Sequence, residues 1–198
     1  TLKEFRSYKI SIFAHPNKYA EKLAKLIKSF FPKFYNIVFC NSGTESVIKA
    51  LRICRSLNNK KFIVSVSGSW HGSVDQTLYS PSKNFKPLPI SAGLDTDQQK
   101  NLKFIPYNDI KKSKLILDKI KKNINCLIIE PIMGSFPSNE SKDYLKFLER
   151  YCKKNKIIII FDEIITGFRS REGSVQGKFN LKPDITLVGK ILGGGFPI

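Results

Sequence analysis

Five apolar residues in a row, Ile157 to Phe161, run straight into two acids, Asp162 and Glu163. A strand that is apolar at every position has no solvated face. It needs cover on both sides, as in a parallel sheet sandwiched between helices. The rest of the chain repeats the demand. Strand-like runs NIVFCN, KFIVSV, LKFIPY, NCLIIEP, IIIIFDE and DITLVGK alternate with segments of helical period. In TESVIKALRICRSL, Val47, Leu51 and Cys54 share a face while Lys49, Arg52 and Arg55 project elsewhere. DYLKFLERYCKKN repeats the pattern with Tyr144, Phe147, Leu148 and Tyr151. The alternation predicts an α/β fold, a mainly parallel sheet flanked by helices. Residues 71–101, rich in Pro, Ser and Asn, read as one long loop, and a loop that long in a compact domain is usually functional or disordered. No internal repeat and no linker marks a domain boundary.

Composition narrows the classes. The 198 residues suffice for one domain or for part of a larger one. No apolar run approaches the roughly 18 residues of a membrane span, and LKEFRSYKISIF lacks the layout of a signal peptide. The formal charge of +18 comes from lysines spread along the chain, without an aromatic-basic motif. That predicts a solvated basic surface that attracts anions, with neither nucleic acid nor membrane as partner. Cys40, Cys54, Cys126 and Cys152 form no CxxC pair. They read as reduced thiols of a cytoplasmic protein, with no metal site and no disulfide framework.

The ends of the strands carry the chemistry, because parallel sheets present their sites at carboxyl edges. After NIVFCN, Ser42 is a candidate N-cap, and Gly43 allows close backbone approach. The first-turn amides of Thr44, Glu45 and Ser46 would then face outward as an anion site, best suited to a phosphate. After KFIVSV come Trp70, the only tryptophan, and His71, one of two histidines; the indole offers a stacking face for a flat ligand. Asp162 ends an apolar strand, where a carboxylate is costly unless something cationic meets it. DITLVG delivers Lys190, a candidate amine nucleophile, followed by Gly193, Gly194 and Gly195. A phosphate cradle, an aromatic platform, a carboxylate and a nucleophilic lysine together suit a phosphorylated heteroaromatic aldehyde, and pyridoxal 5'-phosphate is that molecule. A nucleotide-binding P-loop is excluded, since no GxxxxGK[ST] run is present.

In order and spacing, NSGTES, SWHGSVD, IIEPIMG, IIIIFDEIITGFR and PDITLVGKILGGGFPI resemble the class III aminotransferases of the fold-type I pyridoxal-phosphate enzymes. TGFR without an inserted glycine, GKILGGGFP, and SAG followed by PYND are similar to the aminomutase branch of that class, whose members move an amino group within one molecule. The resemblance implies that Lys190 forms the Schiff base with the cofactor and that Asp162 partners its pyridine nitrogen. It further implies that Trp70 stacks on the ring beside His71, that Ser42, Gly43 and Thr44 bind the phosphate, and that Ser135 lies near the phenolic oxygen. Ser73 and Ser135 stand where the aminomutase branch usually has histidine and asparagine. The alternative is a transfer between separate amine and oxo partners, such as sugar or ω-amino substrates. The resemblance also implies that residues 1–198 are part of a cofactor-binding large domain, without the N-terminal segment and C-terminal small domain. The complete enzyme would be a cytoplasmic homodimer acting on a small amino substrate.

Overall fold

A computed structural model describes residues 18–34, 36–138 and 140–195. The chain divides into two units, Thr1–Val38 and Phe39–Ile198, a division no linker composition marks. The first unit contains helix α1 (Lys18–Phe30), after which the rings of Phe31 and Phe34 meet at 6.4 Å.

In the second unit, helix α2 (Gly43–Leu57) precedes β1 (Phe62–Val66), β2 (Tyr79–Pro81), β3 (Pro87–Pro89) and a short helix α3 (Thr96–Gln99). Then come β4 (Leu102–Ile105), α4 (Ile110–Ile120), β5 (Ile124–Ile129), α5 (Lys142–Asn155), β6 (Ile158–Asp162), α6 (Val175–Phe179) and β7 (Ile185–Leu187). Five strands form one sheet in the order β4-β1-β5-β6-β7, every pair parallel.

The apolar runs work as expected. All six residues of β5 are buried. Alternate residues pass to opposite faces, as the pleat requires. Val64, Val66, Leu127, Ile129, Ile159 and Phe161 pack with Leu117 of α4, Tyr144, Leu145 and Leu148 of α5, and Val175 and Phe179 of α6. Ile63, Cys126, Ile128 and Ile160 pack on the other face with Val47, Ala50, Leu51 and Cys54 of α2. The latter four positions, spaced three and four apart, form the apolar stripe of that helix.

Two expectations need correction. NIVFCN forms no strand among the described residues, and Val38 and Phe39 are exposed. Apolar composition makes a strand only where a neighbour accepts its hydrogen bonds. Residues 71–101 are not a structureless loop. They hold the antiparallel hairpin of β2 and β3, closed by Ser82 N–H to Lys86 O at 2.8 Å, and the helix α3, capped by Asp95. Buried Val74 and Tyr79 anchor the segment on the α2 face of the sheet. The Phe196–Ile198 end of the glycine-rich block lies outside the described residues. Among the described residues, no helix is long and apolar enough to cross a membrane.

Candidate active site

Because all five strands run the same way, their carboxyl ends share one edge. The chain leaves β1 for β4 on one side and leaves β5 for β6 on the other. This reversal between neighbouring strands opens a crevice at their carboxyl ends. Trp70 and His71 follow β1, Glu130 follows β5, Asp162 ends β6, and Lys190 follows β7.

The segments after these ends hold one another. His71 and Asp162, 91 residues apart, are both buried, and Nδ1 of His71 lies 2.8 Å from Oδ2 of Asp162. An ionised carboxylate only accepts, so Nδ1 carries the proton and donates. The other ring nitrogen, Nε2, is buried without a partner. Asp162 Oδ1 accepts from the Ile164 amide at 3.2 Å. The Trp70 amide donates to Glu130 Oε2 at 3.2 Å, while the Trp70 side chain stays 52% exposed. Ser69 Oγ and Tyr107 OH, after the ends of β1 and β4, are also buried without partners.

The turn before α2 joins this group through glycine contacts. A Cβ on Gly72 would lie 2.6 Å from Thr44 Oγ1 and 3.1 Å from Thr44 Cα, and Gly72 has φ +74°. Only glycine fits such an approach in that backbone conformation. It lets the Ser73 amide donate to Thr44 Oγ1 at 3.3 Å. A Cβ on Gly43 would meet Ile164 Cδ1 at 2.8 Å, and Ile164 also lies beside Gly189, the residue before Lys190. Ile164 thus touches the turn at Gly43 and the approach to Lys190 at Gly189, two residues after Asp162.

Ser42 is the N-cap, its Oγ accepting from the Glu45 amide at 3.1 Å. That corrects the expected anion site. The Glu45 amide is used by Ser42 Oγ and the Ser46 amide by Ser42 O, so Gly43 and Thr44 hold the unpartnered first-turn amides. Glu45 instead reaches back to the Asn41 amide and forward to Lys49, at 2.7 and 3.0 Å. Lys190 begins a single 3₁₀ turn, Lys190–Gly193, with φ +48° and an exposed side chain. A left-handed conformation in a residue with a Cβ stores roughly 1–2 kcal/mol of strain. Ser135 is exposed after Gly134, a glycine pressed against Ile165.

Two acids went unassigned in the sequence. Burial pushes the Glu130 carboxyl above its ordinary range, against the hydrogen bond from Trp70 and the nearby His71. Its signal was present, since Glu130 ends the apolar run NCLIIE as Asp162 ends IIIIF. Glu163 is buried and also pushed up by burial. It accepts from Thr166 Oγ1, the Val175 amide, the Gln176 amide and Gln176 Nε2, at 3.1, 2.7, 3.1 and 3.4 Å. Nothing in its sequence position announced that role.

The edge therefore offers two free helix-start amides, an open indole face, a buried carboxylate oriented by an imidazole, and an accessible amine. Comparison with known proteins points the same way. The Aminotransferase class-III family matches residues 4–198. A glutamate-1-semialdehyde 2,1-aminomutase of Archaeoglobus fulgidus is 39% identical over 190 residues, covering 94% of this chain and 45% of that protein. The chain thus spans under half the length of such relatives. Among solved structures, an omega-transaminase from Sphaerobacter thermophilus superposes with TM-score 0.88 at 28% identity, over 99% of this chain and 46% of that one. A transaminase with PLP bound gives TM-score 0.84 at 26% identity, over 93% of this chain and 44% of that one.

Proposed function

The chain belongs to the class-III aminotransferases, and we propose that it carries the cofactor-holding part of a pyridoxal 5'-phosphate enzyme that converts glutamate 1-semialdehyde to 5-aminolevulinate, a step toward tetrapyrroles. Residues 1–198 are then part of the large domain of a longer cytoplasmic homodimer whose partner molecule is a small amino substrate, with neither nucleic acid nor membrane involved. The observation that carries this is Asp162. It is buried and oriented by His71, yet among the described residues it accepts two hydrogen bonds, leaving capacity for a ring N–H.

The residues present fit the cofactor. The unpartnered amides of Gly43 and Thr44, with the hydroxyls of Ser42 and Thr44, suit its phosphate at the positive end of α2. Trp70 has an open face for its ring, and Ser135 is exposed for its phenolic oxygen. When bound, the cofactor supplies an aldehyde that exchanges amines and a ring that takes up an electron pair from the substrate carbon. Lys190 Nζ would hold that aldehyde and, as general base and acid, would carry a proton away from the substrate carbon and deliver it to a second carbon as the amino group moves. Asp162 would accept from the ring N–H and favour its proton, and the His71 bond orients the carboxylate for that task. Trp70 would offer the face against which the ring packs.

A second reading is transfer between separate amine and oxo partners. It is favoured by Ser73 and Ser135, where the aminomutase branch usually has histidine and asparagine, and by the likeness to an omega-transaminase. The test is turnover of the complete protein with glutamate 1-semialdehyde alone. We expect 5-aminolevulinate without any added amine or oxo partner. A stoichiometric requirement for a second partner would assign the protein to the alternative.

A further inference from the structure

Glu130 stands just past the end of β5, 4% exposed, and none of the tasks assigned to the cofactor site uses it. Burial pushes its carboxyl up and nearby Asp162 adds to that, against the Trp70 and Gly134 amides and His71. An acid so costly to bury is held there by what it binds. Because β1 and β5 are neighbours in the sheet, the chain leaving β1 runs beside the chain leaving β5. Met133 packs against Gly68, its Sδ 3.1 Å from where a Cβ would sit. Two residues further on, the Trp70 amide donates to Glu130 Oε2 at 3.2 Å.

Trp70 has little else to hold it. Its side chain is half exposed, and no other aromatic ring meets the indole among the described residues. The bond to Glu130 is the one hydrogen bond that Trp70 makes among those residues. An indole that no ring clamps takes its direction from its backbone. That backbone is pinned on one side by Glu130 and on the other by His71, which is bonded to Asp162.

We propose that Glu130 is the positioning residue of the stacking platform, a role that rests on Trp70 being the face for the cofactor ring. Glu130 ties the Trp70 amide to the end of β5 and so sets where the indole stands at the carboxyl edge of the sheet. The position then requires an acceptor at the reach of a glutamate, and no charge.

Three substitutions in the complete protein separate reach, acceptor and charge. Glu130→Gln keeps the acceptor and its reach. Glu130→Asp keeps the charge but draws the acceptor back, and Glu130→Met keeps the length without an acceptor. Each is titrated with pyridoxal 5'-phosphate, and visible circular dichroism per bound cofactor shows how the ring is held. We expect Glu130→Gln to match the wild type in both. Glu130→Asp and Glu130→Met should bind the cofactor about five-fold more weakly, the worth of one net hydrogen bond, with reduced dichroism at saturation. Either suffices where the other does not fold. In a Trp70→Leu background neither should change the two readouts further, because Glu130 acts through the indole. Impaired Glu130→Gln beside a normal Glu130→Asp would overturn the proposal. So would wild-type behaviour of Glu130→Asp and Glu130→Met, or losses that persist without the indole. A Trp70→Leu variant that matched the wild type would remove the platform itself, and a wild type that bound no pyridoxal 5'-phosphate would sink the cofactor reading beneath it.

Discussion

Asp162 and Glu163 are neighbours, both buried at the end of β6, yet they serve two different regions. Glu163 faces the strap that follows it, residues 166–176, and accepts four hydrogen bonds from that strap alone. A carboxylate has about four lone-pair positions, so Glu163 is filled by its own chain. Asp162 faces the crevice, accepts one bond from distant His71 and one from Ile164, and keeps two positions open. The strap region is closed, with the Gly167 amide bonded to Glu163 O at 2.7 Å and the Phe168 amide to Gly173 O at 2.7 Å. The crevice region leaves Ser69 Oγ and His71 Nε2 unpaired among the described residues. A saturated buried acid organises architecture, and an unsaturated one beside unpaired polar groups marks a place where a ligand completes the set.

Lys190→Ala should give the largest effect on the crevice side. Losing both tether and proton carrier should lower turnover by more than the roughly 10²–10⁴-fold worth of acid–base catalysis alone. Cofactor binding should weaken only in part, and Lys190→Arg should not restore activity, because guanidinium stays protonated. Borohydride reduction and peptide mapping check it: a pyridoxyl label on Lys178 or Lys182 instead of Lys190 would break the assignment.

The two acids can then be set directly against each other. Asp162→Asn should cost at least about 10²-fold in turnover, the scale on which one preorganised electrostatic group acts, with little change in Tm. Glu163→Gln should do the reverse. It forfeits part of a buried hydrogen-bond set, worth about 1–3 kcal/mol of stability, while the turnover of the molecules that remain folded stays close to normal. If both variants behaved alike in thermal melts and in kinetics, the division between crevice and strap would fail.

Gly72→Ala should have a smaller effect, confined to the crevice. The added Cβ would press on Thr44 while φ stays positive, so we expect the turn before α2 to shift and cofactor affinity to fall about tenfold, on the order of 1.4 kcal/mol. Unchanged affinity in a cofactor titration would separate that turn from the phosphate.

Glu130→Gln should give the smallest effect, seen in the pH dependence of stability. Burial raises the folded carboxyl above its usual range, so the folded chain keeps a proton that the unfolded chain releases from about pH 4.3 upward. The wild type therefore loses stability as pH rises from there through the folded value, and a glutamine does not titrate. The Tm of wild type minus that of the variant should fall across this window. A flat difference would mean that Glu130 is ionised at no cost in the fold.

Much of this was legible in the chain. The unbroken apolar run before Asp162 and the three-and-four spacing of Val47, Ala50, Leu51 and Cys54 are local patterns, and local patterns survive in sequence. The same logic failed at NIVFCN, which forms no strand among the described residues, and at residues 71–101, where Val74 and Tyr79 anchor a segment whose composition reads as loop. Glu130 could have been found by the rule that singled out Asp162. Its bond to the Trp70 amide could not, because strand order decides which outgoing segments run side by side.

By itself, the sequence determined the five strands of the main sheet, the helices α2 and α5 and the residues that leave those strands, because side-chain periodicity is a property of consecutive residues. The tertiary structure decided which of those residues meet. The order β4-β1-β5-β6-β7 brings His71 to Asp162 across 91 positions and opens the crevice between β1 and β5. It also divided Asp162 from Glu163, since a buried carboxylate acts according to the donors that reach it in space, and those are set by how the chain packs.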